Sequence, residues 1–142
     1  MGKINLSRVI LGGVLAGIVI NVFEGLVHNV VMKEQFDAAL RALGKTPPES
    51  GAAMFWWLAW GFIAGITAVW LYAAIRPRYG AGAATAVRAG IAVWILSCVL
   101  MTIVMTNLGL FPFSAFGMVL FLVQDVVATI VGAWVYKEAA AS

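Results

Sequence analysis

Apolar positions run almost unbroken through four stretches of the chain, residues 9–31, 54–75, 87–106 and 114–136, and polar positions gather between them. Each stretch matches the roughly 20 residues an α-helix needs to cross a bilayer core. No strand-length segment alternates apolar and polar residues with period two. In lipid, only helices and closed barrels satisfy their own backbone hydrogen bonds, so the pattern predicts four transmembrane helices. The expected fold class is all-α, a polytopic membrane protein forming one four-helix domain over residues 1–142.

After the first span the pattern changes. In "MKEQFDAALRALGKTPPESG", Met32, Phe36, Leu40 and Leu43 recur at four- and three-residue spacing, which puts them on one helical face. The spacing predicts a short external amphipathic helix, entered through a break near residues 32–34. Gly44 suits its C-cap, and Pro47 and Pro48 prevent continuation.

The polar residues inside the spans also follow the helical period. At 100° per residue, Gly13, Gly17, Asn21, Glu24 and His28 fall within an arc of about 80°. Gly61, Gly65, Ala68 and Tyr72 share a face of the second span, with Trp70 opposite. Gly90 and Ser97 mark the third span. Ser114, Asp125, Thr129, Gly132 and Tyr136 mark the fourth, with Trp134 opposite. Gly13/Gly17 and Gly61/Gly65 are GxxxG pairs, which let helix backbones approach closely. Polar groups are costly against lipid, so these stripes are expected to meet inside a bundle.

Glu24, Asp125, Asn21, His28 and Gln124 thus form the candidate intramembrane polar cluster. Asn21 and Asp125 come out at similar depth by residue counting. The simplest neutralisation pairs a protonated Asp125 with Asn21, and Glu24 with His28 one turn further out. Gln124 lies about 100° from Asp125 on the helical wheel and is expected to face a neighbouring helix or another subunit.

Composition agrees with the pattern. The chain is 63% hydrophobic and 11% charged, with a mean hydropathy of +1.01. Soluble domains are about 45–50% apolar and about 25% charged. The basic balance (pI about 9.4) does not form a nucleic-acid patch, and no nucleic-acid partner is expected. Lys3 and Arg8 precede the first span, Arg76, Arg78 and Arg88 lie between the second and third, and Lys137 follows the fourth. The first loop instead balances Lys33, Arg41 and Lys45 against Glu34, Asp37 and Glu49, and the third loop is uncharged. The positive-inside rule then puts both Met1 and Ser142 on the cytoplasmic side of a bacterial cytoplasmic membrane. With 23 residues and no small-residue cleavage pattern, the first span is read as retained rather than as a signal peptide. The lone Cys98 forms no intrachain disulfide and is read as a small packing residue.

No catalytic triad, phosphate-binding loop or paired-cysteine motif is present, so enzymatic chemistry is not expected. Glu24-x-x-x-His28 is half a metal site at most, and no metal is expected from one histidine and scattered carboxylates. No cofactor is predicted. Lipid or pigment contact is considered, with His28 the single candidate axial ligand. "AGITAVWLYAA" and "ATIVGAWVYKE" align at an offset of 64 residues, matching Trp70 with Trp134 and Tyr72 with Tyr136, as a repeat of two parallel hairpins would.

A carboxylate in the first of four helices resembles the small multidrug resistance transporters, in which a membrane-embedded first-helix glutamate exchanges protons for cations. Glu24 matches that feature. The longer first loop, the second carboxylate Asp125 and the residues around Glu24 depart from the family. A start like "SRVILGGVLAGIVINVFE", a second-helix exit like "WLYAAIRPRYGAG" and an end like "VGAWVYKE" are similar to uncharacterised bacterial four-helix membrane proteins. That resemblance implies a stand-alone membrane module and carries no activity. The function expected first is a non-catalytic accessory or scaffold subunit of a larger membrane complex, of photosynthetic or respiratory type. Its partners would be membrane lipids and other integral membrane subunits, or further copies of itself. The alternative is a proton-coupled small-solute transporter or channel using Glu24 and Asp125.

Overall fold

The structure is a computed structural model and describes residues 3–47 and 50–138. Met1, Pro48, Glu49 and Ser142, which enter the sequence reading, lie outside these. Among the described residues five helices form: α1 (Leu6–Val31), α2 (Lys33–Ala42), α3 (Gly51–Tyr79), α4 (Ala83–Asn107) and α5 (Ala115–Trp134). All except α2 are long and apolar enough to cross a membrane.

Short polar side chains set the helix starts. Asn5 Oδ1 accepts from Arg8 N at 3.2 Å, Ser50 Oγ from Ala53 N at 3.2 Å and Ser114 Oγ from Gly117 N at 3.1 Å. Each satisfies one of the amide groups left free at a helix N-terminus. The α3 helix runs past the expected end near residue 75 and includes Pro77 in its last turn, where a missing N–H costs only one hydrogen bond. Gly44 (φ +67°) ends α2 in a Schellman motif. Lys45 N donates to Leu40 O at 2.9 Å and Gly44 N to Arg41 O at 3.0 Å.

The α1 helix packs on α3 and α5, and α4 packs on α5 and α3, while α1 and α4 occupy opposite corners. In the half of the bundle where α1 begins and α5 ends, Ala16, Ala68, Ala89 and Ala128, one from each long helix, are fully buried, as is Val69. Small residues permit this approach. A Cβ on Gly65 would stand 2.5 Å from Gly13 O and 2.9 Å from Gly17 Cα, so the two GxxxG pairs meet backbone to backbone. Gly132 of α5 meets Gly12 of α1 in the same way, and Gly90 of α4 meets Val126 of α5. Trp70 and Trp134 point outward, Trp134 being 87% exposed.

The two aligned tyrosines touch at this end. The Tyr72 and Tyr136 rings are 5.9 Å apart and nearly perpendicular. The Tyr72 hydroxyl accepts from Gly82 N at the start of α4, and the Tyr136 hydroxyl accepts from Asn5 N at the start of α1. Each tyrosine therefore closes the end of one hairpin onto the start of the other. Removing one hydroxyl takes the partner from one backbone amide at a helix start. Tyr136→Phe is expected to lower stability by about 1 kcal/mol, measurable as a reduced melting temperature in detergent.

The opposite end is looser. The last third of α4, from Leu100 to Asn107, makes almost no contact with the other helices. Leu100, Met101, Ile103 and Val104 are all exposed there. Two π-helical turns, Val27–Val31 at the end of α1 and Ile95–Val99 within α4, lie in this half.

Candidate functional site

The space left by α4 is a cavity of about 520 Å³. It lies between the end of α1, the first turns of α3, the second half of α4 and the first half of α5, and Phe36 of α2 also borders it. Trp56, Trp57 and Trp60 of α3 and Phe121 of α5 form aromatic walls. Met101 and Met105 of α4, Met118 of α5 and Met32, ahead of α2, add soft apolar surface, with Cys98 Sγ 3.6 Å from Met118 Sδ. Among the described residues, no lysine or arginine borders the cavity.

The polar side chains form one connected chain across three helices. His28 Nδ1 lies 3.0 Å from both Glu24 Oε2 and the Glu24 carbonyl oxygen, so an Nδ1–H donates to both. Gln124 Nε2 donates to Glu24 Oε1 at 3.0 Å and lies 3.5 Å from Asp125 Oδ1. Ser97 Oγ donates to Asp125 Oδ2 at 3.2 Å. Glu24 and Asp125 are each 4% exposed, and Gln124 only 1%. One atom of the chain has no partner, the buried Gln124 Oε1. Its neighbours explain the orientation. Carboxylate oxygens on both sides need the amide NH2, which leaves the carbonyl over.

Both π-helical turns carry members of this chain, His28 in one and Ser97 with Cys98 in the other. A π turn rotates the following residues relative to an ideal helix, and such turns recur at functional sites. The His28 ring packs 4.0 Å from Phe36 and edge-on 4.8 Å from Trp57, centroid to centroid. Its Nδ1 is committed to Glu24, which leaves Nε2 as the one ring nitrogen for any ligation. Among the described residues, no group of three or more His, Cys, Asp or Glu side chains could hold a metal ion.

Four of the five candidate polar residues, Glu24, His28, Gln124 and Asp125, come together here, and Asn21 does not. The expected pair of Asn21 with Asp125 is absent. Asn21 Nδ2 instead donates to Gly17 O at 2.9 Å and Leu58 O at 3.3 Å, and its side chain lies over Gly61 at the α1–α3 crossing. The reason is angular. Asn21 and Glu24 are about 60° apart on α1, enough to address α3 and α5 respectively. Gln124 reaches across to α1 within the same chain. Cys98, read from sequence as packing, borders the cavity, as do the three tryptophans of α3, which no pattern singled out.

The fold and this cavity together define a four-helix bundle of membrane-spanning type with a polar-floored, aromatic-walled cavity in one half. No protein-family model matches the chain, and no curated protein or solved structure matches it.

Proposed function

We propose that the chain is a small integral membrane protein that admits a small solute to this cavity and exchanges it for protons at Glu24 and Asp125. One observation carries the reading: two buried carboxyl groups, bridged by Gln124, border open volume rather than packed side chains. A purely structural polar cluster has no need of a cavity. The volume falls within the range of about 300–1,000 Å³ that small-molecule sites occupy. Acids at membrane depth are costly and tend to mark ion or substrate pathways. Two acids facing one imidazole and no lysine or arginine are relieved by taking up a proton or a cation, and alternating between the two is proton exchange.

Proteoliposomes with a trapped pH-sensitive dye test this. They are held under a pH gradient and exposed in turn to membrane-soluble amines, acids and neutral solutes. At least one class is expected to speed collapse of the gradient beyond the rate in protein-free vesicles. Equal rates for every class would contradict the proposal.

An accessory or scaffold subunit of a larger membrane complex is the competing proposal. The unpacked apolar last third of α4 favours it, since another subunit could cover that surface. Lipid covers it equally well, so the carrier reading is preferred.

The proposed setting is a bacterial cytoplasmic membrane with both termini on the cytoplasmic side, supported by Arg76, Arg78 and Arg88 around the α3–α4 connection. In that orientation α2 is external and the cavity lies in the outer half of the bundle. With Cys98→Ser as background, Thr46→Cys is expected to react with an impermeant thiol reagent added to intact cells, and Ala81→Cys is not. The reverse labelling would invert the orientation.

A further inference from the structure

We propose that His28 is the proton relay of this cavity, trading protons with the cavity at Nε2 and with the Glu24 carboxyl group at Nδ1. This rests on the carrier reading of the same cavity and names the group through which its protons pass.

Glu24 is badly placed to trade protons on its own. Only 5% of its side chain is exposed, and both oxygens are engaged, Oε2 with His28 Nδ1 and Oε1 with Gln124 Nε2, each at 3.0 Å. Gln124 gives no way out, because a carboxamide donates hydrogen bonds without gaining or losing a proton. His28 is the open member of the pair, with 17% of its side chain exposed. Its Nδ1 also lies 3.0 Å from the Glu24 carbonyl oxygen, and two acceptors on one side fix that nitrogen as the donor. Nε2 bonds to no described residue and, unlike Gln124 Oε1, keeps accessible surface. The ring borders the cavity. One imidazole thus joins a buried carboxyl group to open volume.

The chemistry needs both nitrogens. A proton taken up at Nε2 makes the imidazolium. Transfer of the Nδ1 proton to Glu24 Oε2 then leaves a neutral imidazole beside a neutral carboxylic acid. One N–H bond has formed, one has broken and one O–H bond has formed, so the proton gained at Nε2 appears on Glu24. The same steps reversed return it to the cavity. Imidazole is the side chain whose protons come and go between about pH 5 and 8, which suits it to this exchange. A structural tie to Glu24 would need a single donor at the Nδ1 position and no second nitrogen.

Few other titratable groups face the ring. Glu24 on its own helix, Cys98 on α4 and Asp125 on α5 border the cavity, and among the described residues α3 contributes none there. On α2, which brings Phe36 against the ring, Lys33 and Asp37 pair with one another. No neighbouring cation competes with His28 for the Glu24 proton.

His28 is the chain's only histidine, so isotope-labelled histidine gives one NMR signal for each ring nitrogen of the full chain in mild detergent. The neutral ring is expected to carry its proton on Nδ1, with Nε2 gaining one as the buffer is acidified. A neutral ring protonated at Nε2, or a ring that ignores buffer pH throughout the folded range, overturns the relay. Flux is then read in dye-loaded proteoliposomes. His28→Asn puts an amide donor where Nδ1 stands, which keeps the bond to Glu24 and removes the second nitrogen. Its leak-corrected rate of gradient collapse is expected to be about 100-fold lower than wild type, the low end for a positioned acid–base group. Should that variant fail to fold, diethyl pyrocarbonate blocks Nε2 of the wild-type protein and hydroxylamine frees it, and the rate is expected to fall and return. A wild-type rate from either His28→Asn or the blocked protein overturns the relay and leaves the carrier reading standing. A wild-type protein that collapses no gradient removes the carrier reading and the relay with it.

Discussion

Gly65→Leu is expected to abolish recovery of folded protein from detergent extracts. A side chain at this position starts from a Cβ only 2.5 Å from Gly13 O and 2.9 Å from Gly17 Cα. Both neighbours are backbone atoms, which cannot rotate away, so the helices themselves must separate. Overpacking of side chains alone costs about 1–3 kcal/mol, and displacing a helix at the closest crossing adds to that. Gly17→Leu meets the Phe62 backbone at 2.8 Å and is expected to behave alike. Two controls separate this from a general intolerance of change. Gly25 has open space where its Cβ would go, so Gly25→Ala is expected to raise stability by about 0.5–1 kcal/mol through helix propensity. Trp134, almost fully exposed, is expected to accept leucine with little loss. Size-exclusion profiles and melting curves of the four variants would check the ranking. Equal tolerance at all four positions would mean that the α1–α3 crossing is placed wrongly.

The second large effect concerns Glu24 as a structural group. Its two carboxyl oxygens hold His28 and Gln124, so it ties α1 to α5 at the cavity floor. Glu24→Ala removes both carboxylate contacts at once, leaving the buried Gln124 amide only its long 3.5 Å contact to Asp125 and the part-buried His28 ring only the backbone carbonyl of residue 24. Each lost carboxylate bond is worth about 1–3 kcal/mol. The expected result is a fall in melting temperature large enough to threaten purification. Glu24→Gln keeps the shape and an acceptor oxygen, and is expected to fold with a small loss. Ser97→Ala breaks one hydrogen bond to Asp125 and should fall between the two.

The parts of this architecture that sequence made legible are those set by local geometry. Helix length, the Gly44 C-cap and the small-residue stripes follow from short-range rules, the stripes from the 3.6-residue period. Gly13, Gly17, Gly61 and Gly65 could be assigned to a packing face because only glycine lets two backbones touch. The Glu24 and His28 pair was legible for the same reason, being one turn apart on one helix. The partner of Asp125 was not, because the choice between Asn21 and Ser97 depends on a π turn at Ile95–Val99 that no residue in "ILSCV" announces. Asn21 was misplaced because an 80° stripe is wide enough to face two neighbours. The cavity was invisible altogether. It exists because the last third of α4 stays away from the bundle, and its composition is that of any lipid-facing helix. Trp56, Trp57 and Trp60 read equally well as an interfacial aromatic belt, so their shared wall became apparent only in three dimensions.

Glu24 also separates a working carboxyl from a structural one, and the decisive measurement uses Glu24→Gln. The variant is compared with the wild-type protein in dye-loaded proteoliposomes at matched protein content, with the solute that best accelerates collapse of the pH gradient. If Glu24 is the exchanging group, Glu24→Gln folds and inserts, yet its rate falls to that of protein-free vesicles. A Glu24→Gln rate equal to wild type would contradict the account, leaving Glu24 a hydrogen-bonding partner of His28 and Gln124 and nothing more.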